Sequence, residues 1–270
     1  MKNLSVVPPK KAKAAHLHLR WPFGPRRSLM PSKVASVFAT VTALAMSAAG
    51  QEVQSTKASF QSGGRTIGVE MFQPLNAMNA PAILVLHGAG GMDYGNEYVR
   101  QLATAFAANG YATLLVHYFD RTGTNYAADP IIRANFEKWL ETIGDAVSFA
   151  LQQPHIDPKR MALFGYSLGA YIAVAHASRD NRVRALVELA GGVDPEFAKT
   201  VHHLPPTLVL HGEDDRRVPL DRAKEFIQLL RKLSTPFATK FYPGEGHILS
   251  PLAAFDALSR GLTFLREQLH

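Results

Sequence analysis

Ser167, Asp215 and His247 are the residues of this chain whose types and settings could perform covalent chemistry. A serine hydroxyl is a weak nucleophile at neutral pH. It becomes effective when an imidazole takes its proton, and the imidazole in turn needs a carboxylate to fix its tautomer and stabilise the cation that forms. Ser167 lies in Gly165-Tyr166-Ser167-Leu168-Gly169, a G-x-S-x-G pattern. Arg160–Phe164 before it has strand character, and Ala170–His176 after it is apolar enough for a buried helix. A strand, a tight turn and a helix project the serine oxygen into a cleft, and the two glycines let strand and helix approach closely. A glycine-rich loop with an incidental serine would share the pentapeptide but not these flanks.

The order serine, acid, histidine then directs the search for partners. His247 falls in Phe241-Tyr242-Pro243-Gly244-Glu245-Gly246-His247, just past the last apolar strand and before the last helix. Position selects it from the 11 histidines. His16 and His18 sit near the N-terminus, His87 and His117 precede the serine, His202, His203 and His211 precede the acid, and His270 is terminal. The acid follows the strand Pro206–His211 and Gly212, where Glu213, Asp214 and Asp215 compete. Asp215 is the choice, because it stands at G-x-x-D-x-x-V-P, and Asp214 is the alternative. An acidic cap on the following helix would account for one or two of the three.

Acyl transfer also needs donors for a developing oxyanion. His87-Gly88-Ala89-Gly90-Gly91 follows the first buried strand, and a tight turn there can aim backbone N–H groups at that charge. The expected pair is the N–H of Leu168, directly after the serine, and that of Ala89, with Gly90 the alternative to Ala89. A phosphate-binding loop would need a Gly-Lys-Ser/Thr ending, which is absent. Tyr118, Phe119 and Tyr166 are expected to line a substrate pocket, with core packing as the competing role. No cysteine exists to serve as nucleophile or to form a disulfide. No His-x-x-x-His or cysteine cluster near these residues suggests a metal, and nothing implies an organic cofactor.

The elements that must position these residues are regular from Thr56 onward. Lys57–Phe60 and Thr66–Phe72 read as strands joined by a Ser62-Gly63-Gly64 turn. Ala82–His87, Ala112–Tyr118, Met161–Phe164, Val183–Leu189, Pro206–His211 and Phe237–Tyr242 are further strands, several of them continuous apolar runs that imply burial on both faces. Tyr98–Asn109, Ile131–Gln152, Leu168–Ala177, Pro219–Leu233 and Leu252–Gln268 read as helices, the second of them interrupted at Gly144. Strands alternating with helices imply an α/β fold, with a mainly parallel central sheet and helices on both faces. The loop from Tyr118 to Pro130 follows the carboxyl end of a strand, where ligands bind in such sheets.

The net charge of +7 belongs to the N-terminus. Eight of the 29 Lys and Arg residues lie within residues 1–33, where there is no acid, which leaves 21 basic against 22 acidic residues in the remainder. The high pI therefore gives no reason to expect a nucleic-acid partner. Residues 34–49 are apolar or small throughout, too short for a membrane span, and have the layout of a secretory signal peptide with cleavage after Gly50. Arg26-Arg27-Ser28-Leu29-Met30 resembles a twin-arginine signal, and Met30 is an alternative start. A membrane anchor or a basic tail is the competing reading. Residues 1–50 are thus expected to be a leader and residues 51–270 a single exported domain, periplasmic or secreted, with no stable membrane span after cleavage.

Over roughly residues 56–268 the chain resembles the α/β-hydrolase superfamily, and within it the dienelactone hydrolase family. The resemblance rests on Leu86-His87-Gly88-Ala89-Gly90-Gly91, Gly165-Tyr166-Ser167-Leu168-Gly169, Gly212-Glu213-Asp214-Asp215-Arg216-Arg217-Val218-Pro219 and Gly244-Glu245-Gly246-His247, in that order. It implies an α/β-hydrolase fold and a Ser-Asp-His triad. Two positions depart from that family: serine replaces its cysteine nucleophile, and no glutamate occurs between Ala80 and Met92. These departures favour a general carboxylester hydrolase acting on a small-molecule ester. A serine peptidase resembling the prolyl oligopeptidase catalytic domain, and a non-catalytic binding protein on a hydrolase fold, are the alternatives.

Overall fold

A computed structural model describes residues 51–93 and 96–270. The leader, apolar run and cleavage point expected within residues 1–50 lie outside the described residues. An eight-stranded sheet has the order β1-β2-β4-β3-β5-β6-β7-β8. Its strands are β1 (Val53–Ser62), β2 (Arg65–Pro74), β3 (Ala80–Leu86), β4 (Ala112–Val116), β5 (Ile156–Tyr166), β6 (Val183–Leu189), β7 (Thr207–Gly212) and β8 (Phe237–Tyr242). β1 and β2 form an antiparallel hairpin, and β2 runs antiparallel to β4. From β4 to β8 every pairing is parallel.

The helices are α1 (Asn96–Ala108), α2 (Asp129–Ala150), α3 (Leu168–Ala177), the short α4 (Pro195–Ala198), α5 (Leu220–Lys232) and α6 (Pro251–Leu269). Successive side chains on a strand point to opposite faces, so each central strand feeds two cores. Leu84, Leu86, Leu114 and Leu163 pack with Trp139, Ile172 and Phe226 from α2, α3 and α5. Ile83, Val85, Leu115 and Phe164 pack on the other face with Phe106, Leu258 and Leu265 from α1 and α6. This explains the continuous apolar runs: β3, β4 and β7 are buried at every residue. All ten residues of α3 are buried as well, which places it against the middle of the sheet.

The structure adjusts several expected elements. Tyr118 does not extend β4; Tyr118–Arg121 turns into a 3₁₀-helix that leads into the loop ending at α2. Gly144 does not interrupt α2, which is continuous. A Cβ at Gly144 would meet only the ring of His176, at an ordinary van der Waals distance of 3.5 Å, so the position lies where α2 packs on α3 without requiring glycine. Among the described residues no helix is long and apolar enough to cross a membrane. The loops after β3, β4, β5, β6, β7 and β8 leave from the same carboxyl edge of the parallel strands, and the candidate residues lie there.

Candidate active site

β5 enters a sharp turn at Ser167, which stands at φ 56 and ψ −120 immediately before α3. Positive φ is costly for a residue with a side chain, by roughly 1–3 kcal/mol, and persists only where the surroundings enforce it. Here they do. A Cβ at Gly165 would lie 2.4 Å from the Gly169 carbonyl oxygen, and a Cβ at Gly169 would lie 2.3 Å from that of Leu86. Both positions therefore require glycine, and strand, turn and helix are pressed together. The Ser167 N–H donates to the Leu189 carbonyl at 2.9 Å, which ties the turn to β6.

Three loops converge on the serine oxygen. His247 Nε2 is 2.9 Å from Ser167 Oγ, and its Nδ1 is 2.7 Å from Asp215 Oδ2. The second Asp215 oxygen, Oδ1, accepts the N–H groups of Arg217 at 2.8 Å and Val218 at 2.9 Å. The carboxylate is therefore held from both sides while being buried itself. Asp214 is exposed, and its backbone N–H donates to the Glu245 carbonyl at 2.8 Å. That bond locks the loop carrying the acid to the loop carrying the histidine. Gly212 makes the contact possible, because a Cβ there would lie 2.4 Å from the Gly246 carbonyl oxygen. Glu245 closes the histidine loop by accepting the Ser250 N–H at 2.6 Å, and Tyr166 donates its hydroxyl to the His247 carbonyl at 3.1 Å.

The loop after β3 packs against the serine from the opposite side. A Cβ at Gly88 would lie 3.2 Å from Ser167 Cβ. Among the described hydrogen bonds the N–H groups of Ala89 and Gly90 donate to nothing in the protein, while the Ala89 carbonyl accepts from Ala127 at 2.9 Å. Leu168 is the first residue of α3, and its N–H belongs to the unsatisfied donors of a helix N-terminus. An anion beside Ser167 would meet that positive end of the helix dipole.

Of the three residues expected to line a pocket, Tyr166 contacts the site, its ring 5.3 Å from that of His247. Tyr118 and Phe119 are 0% and 3% exposed and pack behind the loop. Tyr118 stacks on His87 at 4.1 Å and Phe119 lies against Trp139 at 4.5 Å, so both rings support the loop from the core.

A family model described as the dienelactone hydrolase family matches residues 67–251, more than half of the chain. The chain belongs to the dienelactone hydrolase family. The uncharacterized peptidase YuxL of Bacillus subtilis is 26% identical over 205 residues, which is 63% of this chain and 31% of that protein. Among solved structures, a dienelactone hydrolase-like promiscuous phosphotriesterase from metagenomic libraries superposes with TM-score 0.69 at 18% identity, covering 81% of this chain and 99% of that one. Acylaminoacyl peptidase of Pyrococcus horikoshii gives 0.67 at 19% identity, covering 81% of this chain and 42% of that one. At such identities the structural likeness is one of fold. The chain spans between about 30% and 40% of the first curated relatives it matches.

This member of the dienelactone hydrolase family also carries buried polar groups that the sequence motifs do not single out. His211 is fully buried beside the acid, with Nε2 donating to the Val218 carbonyl at 2.8 Å and standing 3.5 Å from Asp215 Oδ2. Burial holds its pKa below the usual histidine range. Glu188, the penultimate residue of β6, is fully buried and accepts the Gly191 N–H. Burial pushes its pKa up to about 8, with the nearby Asp215 charge adding to the effect. One signal was present: Glu188 is the lone carboxylate in the otherwise apolar end of Val183–Leu189. His87 is 1% exposed, with its pKa held down to about 3, chiefly by burial.

Proposed function

We propose that this protein is a serine hydrolase that cleaves carboxylic esters through an acyl-enzyme intermediate. The observation that carries the reading is the continuous line from Asp215 through His247 to Ser167, at 2.7 and 2.9 Å, ending on a serine in forced positive-φ geometry. Nε2 of His247 takes the Ser167 proton as Oγ attacks the ester carbonyl. The N–H groups of Leu168 and Ala89 receive the oxyanion, and Asp215 stabilises the imidazolium. Collapse of the tetrahedral intermediate expels the alcohol, which leaves with the proton from Nε2. Water then enters by the same route: His247 takes its proton, the hydroxide attacks the acyl carbon, and Ser167 regains the proton as the acid departs.

The peptidase names among the relatives favour one second reading, amide hydrolysis by the same residues. An amine is the poorer leaving group, so catalysis of its release demands timely protonation by His247. The deciding experiment compares an unactivated alkyl ester with the amide of the same acid, using the purified protein and its Ser167→Ala variant. We expect the ester to exceed the amide in kcat/KM by at least about a hundredfold, roughly 2.7 kcal/mol of barrier, and both activities to vanish in the variant. Equal or better cleavage of the amide moves the assignment to the peptidase. Activity retained by Ser167→Ala refutes both.

A further inference from the structure

We propose that His87 is a positioning residue for the oxyanion hole: its imidazole aims the N–H of Ala89 by holding the carbonyl at the other end of the same peptide unit. The inference rests on the serine-hydrolase reading above. The Gly88 C=O and the Ala89 N–H belong to one planar unit, and no peptide bond in the described chain is cis. In a trans unit the two groups point in opposite directions, so fixing the oxygen fixes the N–H. The Gly88 oxygen has two donors: His87 Nδ1 at 2.8 Å and the Gly91 N–H at 3.1 Å. The next peptide unit is held separately, by Ala127 N–H on the Ala89 oxygen at 2.9 Å. What remains is an N–H that faces away from all of these, on a loop pressed against Ser167.

The imidazole is itself held in place. Its ring stacks on Tyr118 at 4.1 Å with 10° between planes, and Phe119 meets it edge-on at 4.8 Å. The Tyr118 hydroxyl donates to the His87 carbonyl at 2.7 Å, which fixes the backbone on the near side. Nδ1 faces a carbonyl and must therefore carry the ring proton, while Nε2 is buried with no hydrogen-bond partner among the described residues. An N–H at Nε2 would be the costlier orphan, since both ends would then be mismatched. Desolvation keeps the ring neutral far below neutral pH, so one tautomer persists across the working range. A lysine or arginine could donate to the same carbonyl, but only by burying a charge among the rings of Tyr118 and Phe119.

Three substitutions separate this role from simple packing. His87→Asn sets an amide nitrogen where Nδ1 stands. His87→Gln carries the same amide one methylene further, where Nε2 stands. His87→Leu fills the space without a donor. The readouts are kcat and KM on a short aryl ester, the rate of Ser167 labelling by a fluorophosphonate, and affinity for an aryl boronic acid, whose tetrahedral adduct places an oxygen in the oxyanion hole. We expect the Leu and Gln variants to lose roughly tenfold to a hundredfold in kcat and in boronate affinity, with KM changed less than about threefold, and the Asn variant to recover most of the loss. If the Leu variant fails to fold, the Asn and Gln pair decides. Wild-type kcat in the Leu or Gln variant, or an Asn variant no better than Gln, or a loss confined to KM, overturns the proposal. If the wild type is labelled at Ser167 yet hydrolyses no ester, the ester reading falls while the labelling rates of Asn and Gln still decide His87. Absence of labelling in the wild type removes both.

Discussion

The same dipeptide occurs at the carboxyl ends of two parallel strands of this molecule, His87-Gly88 just past β3 and His211-Gly212 as the last residues of β7, and the two pairs lead into loops of opposite hydrogen-bonding character. Both imidazoles are buried, and both donate to a backbone carbonyl. His87 uses Nδ1 and reaches the next residue. His211 uses Nε2 and reaches seven residues ahead, to Val218. Beyond the first pair, a loop packs against Ser167 with the N–H groups of Ala89 and Gly90 left without an acceptor among the described hydrogen bonds. Beyond the second, a loop turns its N–H groups inward, from Arg217 and Val218 onto Asp215, and presents a carboxylate. A loop that must offer donors needs its carbonyls tied back. A loop that must offer an acceptor needs its amides tied to that acceptor, and the carbonyl of buried Val218 then takes its donor from His211. One residue type meets both requirements because imidazole carries a neutral N–H that tolerates burial.

The largest effect is expected at the carboxylate. Asp215→Asn should lower kcat by about 10⁴-fold, because the amide leaves His247 in the wrong tautomer. Asp214→Asn should change it less than about twofold, as expected for an exposed side chain outside the hydrogen-bonded line. Steady-state kinetics on the two variants at neutral pH checks this, and a reversed ranking would hand the role to Asp214. A smaller effect is expected at His211. His211→Leu should cost about tenfold in kcat, within the hundredfold that an ångström of misplacement can cost. Here Gln should rescue and Asn should not, the reverse of the order at His87, because the donor is Nε2. Finding the same rescue order at both positions would mean that the two imidazoles are packing groups.

The sequence made the first half of this architecture readable and hid the second. Positions that follow from strand-turn-helix logic are legible, since each constrains neighbours in the chain: the glycines around Ser167, the strand before Asp215, the glycine loop around His247. The order of elements was legible for the same reason, because burial on both faces writes apolar runs into β3, β4 and β7. Contacts set by tertiary packing leave no such trace. Nothing in the order of residues tells that Tyr118 ends up stacked under His87 rather than facing solvent in a cleft, because an aromatic residue suits either place. The 3₁₀ turn at Tyr118–Arg121 obeys tertiary demands: Asp120 leaves the β4 direction to accept the Gly68 N–H from β2 at 2.9 Å. The donor roles of His87 and His211 are equally silent, since reaches of one residue and of seven share no period.

The smallest effects expected lie in the dependence of stability on pH, where buried groups oppose one another. His87 is held at about 3 in the fold against an ordinary value of 6.5. Between those pH values the unfolded chain binds a proton that the folded chain does not, so its contribution is present above 6.5 and is lost as pH falls. Glu188 is raised to about 8 from 4.5. Between those values the folded chain holds the proton, so its contribution is present below 4.5 and is lost as pH rises. Each slope is at most about 1.4 kcal/mol per pH unit, and from 4.5 to 6.5 the two cancel. His176 and His211 are also held below the ordinary histidine value by burial, which steepens the acid flank. Chemical denaturation from pH 4 to 9 should therefore show stability rising to a maximum near about pH 6.5, because the other buried histidines outweigh the His87–Glu188 cancellation, and a fall toward alkaline pH. Glu188→Gln should remove the alkaline fall and leave stability rising up to about pH 6.5. His87→Asn should flatten the acid flank by one proton and leave the alkaline side untouched. An alkaline fall that survives Glu188→Gln would place the responsible proton elsewhere and leave Glu188 ionised at neutral pH.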